Sequence, residues 1–206
     1  MDTTLKNSIT AIILAGGEST RMGQDKALLT LRGIPLLKHI YLLAKECAVC
    51  VYIITPKIDR YQSILPNECH FLREVPLSGE TYPHGPLIGF AQGLTEVKTE
   101  WVLLLACDLP CLTVSEVQKW SESLDNVSEE VIAVVPRRDN RWEALCGFYR
   151  RSSLNLLNQY ITQGGRSFQG WLGQHPVQEL SVSNPQVLFN CNTPEDLTHV
   201  PDIDFI

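Results

Sequence analysis

Short apolar runs alternate with amphipathic segments along most of the chain, and this alternation constrains the fold more than any other feature. The runs are rich in aliphatic residues and apolar on both faces; they are residues 9–14, 50–55, 101–106 and 131–135. Such runs are typical of central parallel strands that helices cover on both faces. Helical periodicity lies between them, at residues 35–47, 86–97 and 113–124. The sequence therefore predicts an α/β fold with a mostly parallel sheet.

The C-terminal third continues the alternation with shorter elements. Strands are predicted at residues 144–149, 177–182 and 186–189, and helices at residues 152–162 and 167–174. Thr193 and the Pro-Glu-Asp that follows it predict a capped helix start, because Thr is a favourable cap and acids stabilise a first turn. Ligands of such folds bind beyond the carboxyl ends of the strands, so polar residues there are the candidates for a site.

The composition indicates one globular unit without general affinity for polyanions. The chain has 206 residues, of which 44% are hydrophobic, enough for a sizeable core. Its net charge of −6 argues against binding to nucleic acid or to an anionic membrane. No apolar run reaches the roughly 20 residues that cross a bilayer. We therefore expect a single domain over residues 1–206, with neither nucleic acid nor membrane as a partner.

The cysteine content indicates a reducing compartment. There are seven cysteines, an odd number, and no export signal is evident, so a disulfide framework is not expected. The CxxC pair Cys47 and Cys50 lies at the end of a predicted helix rather than at a helix start, where a thiolate would be stabilised. The cysteines are therefore predicted to be buried thiols of a cytoplasmic protein.

The loop after the first predicted strand concentrates glycine and positive charge. Residues 14–26 contain three glycines and the cations Arg21 and Lys26. Small residues let backbone N–H groups approach a polyphosphate, and the cations supply positive charge that the chain as a whole lacks. Neither a P-loop pattern nor a GxGxxG fingerprint is present. The loop therefore predicts a phosphate site of another kind, cradled by the backbone amides of residues 15–17.

A lone carboxylate follows the most apolar of the predicted strands. The run at residues 101–106 is followed by Cys-Asp-Leu-Pro, which places Asp108 at the carboxyl end of a central strand. A hard oxygen ligand there suits Mg²⁺, which commonly binds one or two carboxylates and bridges substrate phosphates. Asp108 is therefore the candidate metal ligand. No HExxH or Cys/His zinc spacing and no GxSxG nucleophile motif competes with it.

Several motifs together resemble a known enzyme family. The segment from Leu14 to Lys26, L-A-G-G-E-S-T-R-M-G-Q-D-K, is similar to the signature loop of the molybdenum cofactor guanylyltransferases, which are α/β nucleotidyltransferases. Three further segments resemble that family at matching intervals: G-P-L-I-G at 85–89, C-D-L-P at 107–110 and N-C-N-T-P-E at 190–195. The resemblance covers nearly the whole chain.

The resemblance implies a twisted, Rossmann-like nucleotide-diphospho-sugar transferase fold with helices on both faces of the sheet. A nucleotide-binding half would extend over about residues 8–110 and an acceptor-binding half over about residues 111–200. The implied reaction transfers GMP from GTP to the terminal phosphate of Mo-molybdopterin, with Mg²⁺ as the cofactor. Molybdoenzymes or their chaperones are candidate partners.

The resemblance also assigns roles to individual residues. The implied catalytic residues are Arg21, Lys26 and Asp108, with Asp108 holding the Mg²⁺. The implied nucleotide-binding residues are Leu14, Ala15, Gly16, Gly17, Lys26, Thr55, Glu74, Gly85 and Asp108. The implied acceptor-binding residues are Arg166, Asn190 and Asn192.

Three positions depend on the resemblance most strongly. Glu74 stands where relatives carry an Asp that contacts the guanosine, and Thr55 lies near a position where relatives often carry an Asn that contacts the nucleotide. The stretch at residues 137–144, with three arginines, resembles the segment that contacts the pterin-bearing acceptor. Arginines there suit an anionic, phosphorylated partner.

Three alternatives remain open from the sequence. The nearest is a cytidylyltransferase acting on molybdopterin or on another small phosphorylated acceptor, although cytidine-using relatives tend to show L-A-A-G where this chain has L-A-G-G. A second is a GTP- or pterin-binding carrier without catalysis, against which Lys26 and Asp108 argue. A third is a glycosyltransferase-like protein, which often has a DxD metal motif; Asp108-Leu109-Pro110 lacks the second acid.

Overall fold

The computed structural model describes residues 9–16, 25–77, 79, 85–193 and 195–200. The strands are β1 (Ile9–Leu14), β2 (Thr30–Leu31), β3 (Ile34–Pro35), β4 (Cys50–Thr55), β5 (His70–Arg73), β6 (Trp101–Ala106), β7 (Ala133–Val135), β8 (Arg137–Arg138), β9 (Arg141–Trp142), β10 (Cys146–Arg150) and β11 (Val177–Glu179). The α-helices are α1 (Leu36–Cys47), α2 (Ile58–Tyr61), α3 (Pro86–Glu96), α4 (Val114–Ser121), α5 (Leu154–Thr162) and α6 (Phe168–Leu172). Short 3₁₀ helices occupy Lys26–Leu28, Leu124–Asn126, Arg151–Ser153, Pro185–Leu188 and Glu195–His199.

Seven strands form one sheet in the order β11-β7-β10-β6-β1-β4-β5. Among these described strands only β10 runs antiparallel to its neighbours, β6 and β7, so the predicted mostly parallel α/β sheet is confirmed. Two hairpins, β2-β3 and β8-β9, form separate two-stranded sheets. Because β10 pairs with β6, strands from the two predicted halves of the chain share the main sheet.

Strand β1 shows how one sheet serves two cores. Ala11 and Ile13 are fully buried in the core beneath α1 and α4, whereas Ile12 is fully buried in the core beneath α3, α5 and α6. Side chains alternate between the faces of a strand, so a run that is apolar at every position must be covered on both sides. The continuous apolar pattern of the central strands follows from this arrangement.

The C-terminal segments differ from prediction in their details. The strand expected at residues 186–189 is wrong: Pro185–Leu188 forms a 3₁₀ helix that Asn184 caps by accepting a hydrogen bond from the N–H of Gln186 (3.0 Å). Proline lacks the N–H that a ladder needs and fits the first position of a helix, so the local turn competes successfully with the strand. The strand expected at residues 177–182 is shorter, covering Val177–Glu179.

Arg150 lies at the end of the sheet where strand β6 begins. Its side chain is 9% exposed and forms an ion pair with Glu100. Its Nε donates to the carbonyl of Val131 (3.1 Å), its Nη2 donates to the carbonyl of Val127 (3.0 Å), and its guanidinium lies 4.2 Å from the centre of the Trp101 ring. One buried cation thus holds the segment before β7 against the sheet.

Replacing Arg150 by Met should destabilise the fold without changing the chemistry of the site. The carbonyls of Val127 and Val131 would lose their donors, at a cost of about 2–4 kcal/mol in the free energy of unfolding. Turnover per folded molecule should stay unchanged, because Arg150 lies at the opposite edge of the sheet from the carboxyl ends of β1 and β6. Denaturant unfolding measures the effect, with Lys45→Met on an exposed lysine as the control. An unchanged unfolding midpoint would contradict this role.

Candidate active site

The predicted site residues gather where parallel strands end. Strands β1, β4 and β6 are parallel neighbours, so their carboxyl ends meet at one edge of the sheet. Leu14, Thr55 and Ala106 are the last residues of these strands. Asp108 follows two residues later, in the turn after β6. Ligands of open α/β sheets bind at this edge, as the sequence predicted.

Asp108 lies at the centre of this edge. Its Oδ2 is 3.5 Å from the Nζ of Lys26, and its side chain is 20% exposed. Burial raises the pKa of the Asp108 carboxyl above its usual value, although the positive charge of Lys26 opposes that rise. Its backbone carbonyl accepts a hydrogen bond from the N–H of Cys191 (2.9 Å). The turn after β6 therefore binds the distant segment that carries the two predicted asparagines.

Lys26 connects the two predicted halves of the site. Its Nζ donates to the Oδ1 of Asn192 (2.6 Å) while it faces the carboxylate of Asp108. Asn192 is held in turn by Asp196, whose Oδ2 accepts from the backbone N–H groups of Asn192 (2.7 Å) and Thr193 (2.8 Å). Three segments far apart in the chain thus meet at one ammonium group. The structure therefore brings together Lys26, Asp108 and Asn192, three of the residues named as candidates from the sequence.

Asp25 fixes the start of the segment that carries Lys26. Its Oδ2 accepts from the hydroxyl of Tyr61 (2.8 Å) and from the Nη1 of Arg60 (3.0 Å), and it lies 3.5 Å from the Nζ of Lys57. Burial raises the pKa of Asp25, but these hydrogen bonds and the charge of Lys57 together hold it below its usual value. Sequence analysis did not assign this role, because Tyr61 lies 36 residues further along the chain.

A cleft of about 460 Å³ opens beside Asp108. The start of α6 forms part of its wall. The lining residues that bear on the site are Asp108, Trp142, Arg166, Gln169, Asn190 and Asn192. All three residues predicted to bind the acceptor therefore line the same cleft as the predicted metal ligand. Arg166 donates from its Nη1 to the carbonyls of Ile161 (2.9 Å) and Gly165 (2.8 Å), which orient the guanidinium at the rim.

Glu74 occupies a gap between two glycines at the other side of the site. A Cβ atom on Gly16 would lie 2.9 Å from a Glu74 carboxylate oxygen, and one on Gly89 would lie 3.3 Å from the carboxylate carbon. A side chain at either glycine would therefore force the Glu74 carboxylate to shift. The N–H of Glu74 donates to the carbonyl of Thr55 (3.0 Å), which extends the pairing of β5 with β4. Burial raises the pKa of Glu74 to about 7.

The remaining predicted nucleotide residues have differing environments. Gly85 has a φ of 87°, which favours glycine, and it precedes Pro86 at the start of α3. Thr55 is fully buried and its hydroxyl accepts from the N–H of Lys57 (3.0 Å), so in this structure it stabilises the turn after β4.

The predicted phosphate cradle needs one correction. The N–H of Ala15 donates to the carbonyl of Ile54 (3.0 Å) and is already used by the sheet, so it does not face a phosphate. Gly17 and Arg21 lie outside the described residues.

The residues at the site fit a metal ion that the protein and the substrate phosphates bind together. Among the described residues, no group of three or more His, Cys, Asp or Glu side chains is arranged to hold a metal ion. Asp108 nevertheless offers one partly buried carboxylate that lines the cleft. Mg²⁺ keeps several waters and is commonly bound by one or two carboxylates together with substrate phosphates. The residues present therefore fit such a metal, with Asp108 as its protein ligand.

Lys26, Asp108 and Asn192 thus meet at the edge of the sheet where ligands of α/β folds bind. Residues 11–180 match the family described as the MobA-like NTP transferase domain. The chain belongs to this family, and the family resemblance found in its motifs is confirmed.

Relatives and solved structures agree with this membership. The chain is 57% identical over 191 residues to a Nostoc protein named "Probable molybdenum cofactor guanylyltransferase", covering 93% of this chain and 89% of the relative. It is 32% identical over 188 residues to the molybdenum cofactor guanylyltransferase of Pseudomonas entomophila, covering 89% and 93% of the two chains. The fold matches molybdopterin-guanine dinucleotide biosynthesis protein A from Archaeoglobus fulgidus with a TM-score of 0.74 at 20% identity, covering 93% and 96% of the two chains.

No helix in the described ranges is long and apolar enough to cross a membrane.

Proposed function

We propose that this protein transfers GMP from GTP to the terminal phosphate of Mo-molybdopterin, which yields molybdopterin guanine dinucleotide and pyrophosphate. The observation that carries the proposal is the contact of Lys26 with both Asp108 and Asn192. This contact supports the proposal because the lysine that we propose to bind phosphate touches Asn192, which we propose to bind the acceptor. The names of the relatives at 57% and 32% identity support the same substrates.

The nucleotide side of the proposed site consists of the carboxyl ends of β1, β4 and β5 and the start of α3. The carboxylate of Glu74 is the group proposed to accept hydrogen bonds from the guanine edge, whose N1–H and N2 amino groups are donors. Gly16 leaves room for this carboxylate, and Gly85 leads into the first turn of α3, where N–H groups are not used by the helix. Gly17 and Arg21 are proposed to contact the triphosphate.

The acceptor side of the proposed site is the cleft beside Asp108. Asn190 and Asn192 carry both donors and acceptors, which suits the polar edge of a pterin, and Arg166 can bind phosphate oxygens. Molybdoenzymes or their chaperones stay predicted recipients of the product. We place the reaction in the cytoplasm, because an odd number of cysteines, seven, argues against a disulfide framework.

The proposed reaction requires positioning and charge stabilisation rather than covalent catalysis by the protein. An oxygen of the acceptor phosphate forms a bond to the α-phosphorus of GTP while the bond from that phosphorus to pyrophosphate breaks. Lys26 stabilises the negative charge that the phosphates carry during this exchange. Asp108 would hold Mg²⁺, which when bound supplies a Lewis acid that neutralises phosphate charge.

Pyrophosphate release tests the proposal directly. Purified protein with Mg²⁺ and GTP should release pyrophosphate only when Mo-molybdopterin is added, and the product should contain guanine. CTP in place of GTP should support much slower release. Tight GTP binding without release would favour a carrier, and faster turnover with CTP would favour a cytidylyltransferase; either result would contradict the proposal.

The affinity for GTP should depend on pH through Glu74. Burial raises the pKa of Glu74 to about 7, so the carboxylate is present above that pH and loses acceptor capacity as pH falls below it. The KM for GTP should therefore rise as pH is lowered from 8 to 6, by up to about tenfold per pH unit below the pKa. Glu74→Gln should have a higher KM at pH 8 and a flatter profile. An identical profile in Glu74→Gln would show that another group is responsible.

A further inference from the structure

Two glutamine side chains each bind both backbone polar groups of a single residue. The N–H of Val75 donates to the Oε1 of Gln92 (3.1 Å), and the Nε2 of Gln92 donates to the carbonyl of Val75 (2.7 Å). In the same way the N–H of Trp142 donates to the Oε1 of Gln169 (3.1 Å), and the Nε2 of Gln169 donates to the carbonyl of Trp142 (2.6 Å). Each side-chain amide therefore acts as the neighbouring strand would in a sheet.

We call each of these paired contacts a clamp. Both clamped residues lie where strands of the main sheet no longer offer hydrogen-bond partners to the backbone. Val75 follows the end of β5 and begins a stretch without regular structure. Trp142 ends the hairpin β8-β9, which is not joined to the seven-stranded sheet. Helices supply the missing partners: Gln92 lies on α3 and Gln169 on α6. Because these helices pack on the sheet, each glutamine ties its segment to the core of the protein.

The first clamp adjoins the group proposed to bind the nucleobase. Val75 is the neighbour of Glu74 in the chain. On α3, Gly89 lies one turn before Gln92 and therefore on the same face of the helix. That face meets the segment twice, with Gly89 against the Glu74 carboxylate and Gln92 against the Val75 backbone. One helix thus fixes both the side chain of Glu74 and the backbone beside it.

The second clamp forms part of the wall of the acceptor cleft. Trp142, Glu143 and Gln169 itself line the cleft together with Asn190. The guanidinium of Arg137 lies 5.1 Å from the centre of the Trp142 ring, so the hairpin carries a positive charge beside the residue whose backbone Gln169 binds. Movement of the hairpin would therefore change the shape of the cleft and the position of that charge.

We propose that two glutamines are positioning residues for different substrates: Gln92 for the nucleotide and Gln169 for the acceptor. The assignment rests on the proposed function, because it takes the Glu74 side as the nucleotide site and the cleft as the acceptor site. Neither glutamine touches the reacting phosphates; each acts through the backbone of the residue it holds.

A pair of methionine variants tests the proposal by the direction of their effects. Methionine keeps the length of glutamine and removes the amide. Gln92→Met should raise the KM for GTP at least about fivefold, the equivalent of about one net hydrogen bond, and leave the KM for Mo-molybdopterin unchanged. Gln169→Met should do the reverse. Each variant is thus the control for the other, and Gln159→Met, on the exposed surface of α5, should change neither constant.

Hydrogen–deuterium exchange distinguishes an error in the proposed role of the glutamines from an error in the proposed function. In the protein without substrates, the amide of residue 75 should exchange faster in Gln92→Met, and that of residue 142 faster in Gln169→Met. Faster exchange with unchanged KM values, or equal rises in both KM values from one variant, would overturn the positioning role. Wild-type protein without transfer activity would overturn the proposed function; exchange and GTP affinity measured by calorimetry would then still decide the role of Gln92.

Discussion

Asp108→Ala should lower Mg²⁺-dependent guanylyl transfer by at least about 10³-fold, the size expected when several kcal/mol of charge stabilisation are removed. The carboxylate lies in the turn after β6, where it lines the cleft, 3.5 Å from the Nζ of Lys26. No neighbouring acid is arranged with it as a metal cluster among the described residues, so we expect no substitute ligand. Pyrophosphate release over a range of Mg²⁺ concentrations measures the loss.

Two controls separate a metal ligand from a structural residue. Asp59→Ala removes a carboxylate whose side chain is 86% exposed, and it should leave turnover unchanged. Asp108→Asn should unfold no more easily than the wild type at pH 8, because burial raises the pKa of Asp108 and so disfavours its charged form in the folded state. Turnover near the wild-type level in Asp108→Ala, or rescue of the loss by excess Mg²⁺ alone, would contradict its role as the required ligand.

The sequence could predict the sheet because the central strands carry apolar residues on both faces. Such a pattern has one common explanation, burial on both faces, and the lone acid that ends the run at 101–106 therefore had to emerge at the ligand-binding edge. The antiparallel direction of β10 was not predictable from its residues, since strand direction depends on pairing with distant strands. The strand predicted at residues 186–189 was wrong for a local reason. Pro185 and the cap at Asn184 favour a 3₁₀ helix over the strand that the apolar pattern predicts.

Candidate site residues could be named from the sequence where one residue type at one position suggests its chemistry, but not where a role depends on a distant partner. Lys26 and Asp108 belong to the first kind. Asp25 belongs to the second, since its partner Tyr61 lies 36 residues away. So does Gln169, whose amide holds the backbone of Trp142, 27 residues earlier. Backbone partners leave no sequence signature, because any residue supplies the same N–H and carbonyl groups.

Lys26→Met should lower kcat/KM for GTP by about 10²–10³-fold, the loss typical when one charge-stabilising donor is removed from an active site. Its Nζ contacts the carboxylate of Asp108 and the side-chain oxygen of Asn192, so the substitution removes charge from the proposed phosphate site and also one contact between these two segments. Steady-state kinetics with each substrate varied in turn measures the effect. Lys45→Met, which removes an exposed lysine paired with Glu68, should behave as the wild type.

The conservative substitution distinguishes charge from geometry at the same position. Lys26→Arg keeps the positive charge but replaces a compact ammonium by a planar guanidinium, which cannot occupy the 2.6 Å contact with Asn192 in the same way. If charge on the phosphates is the main contribution, Lys26→Arg should retain much more activity than Lys26→Met. If the bridge between Asp108 and Asn192 matters equally, Lys26→Arg should also raise the KM for the acceptor, because Asn192 lines its cleft. Equal and small losses in both variants would remove Lys26 from the catalytic residues.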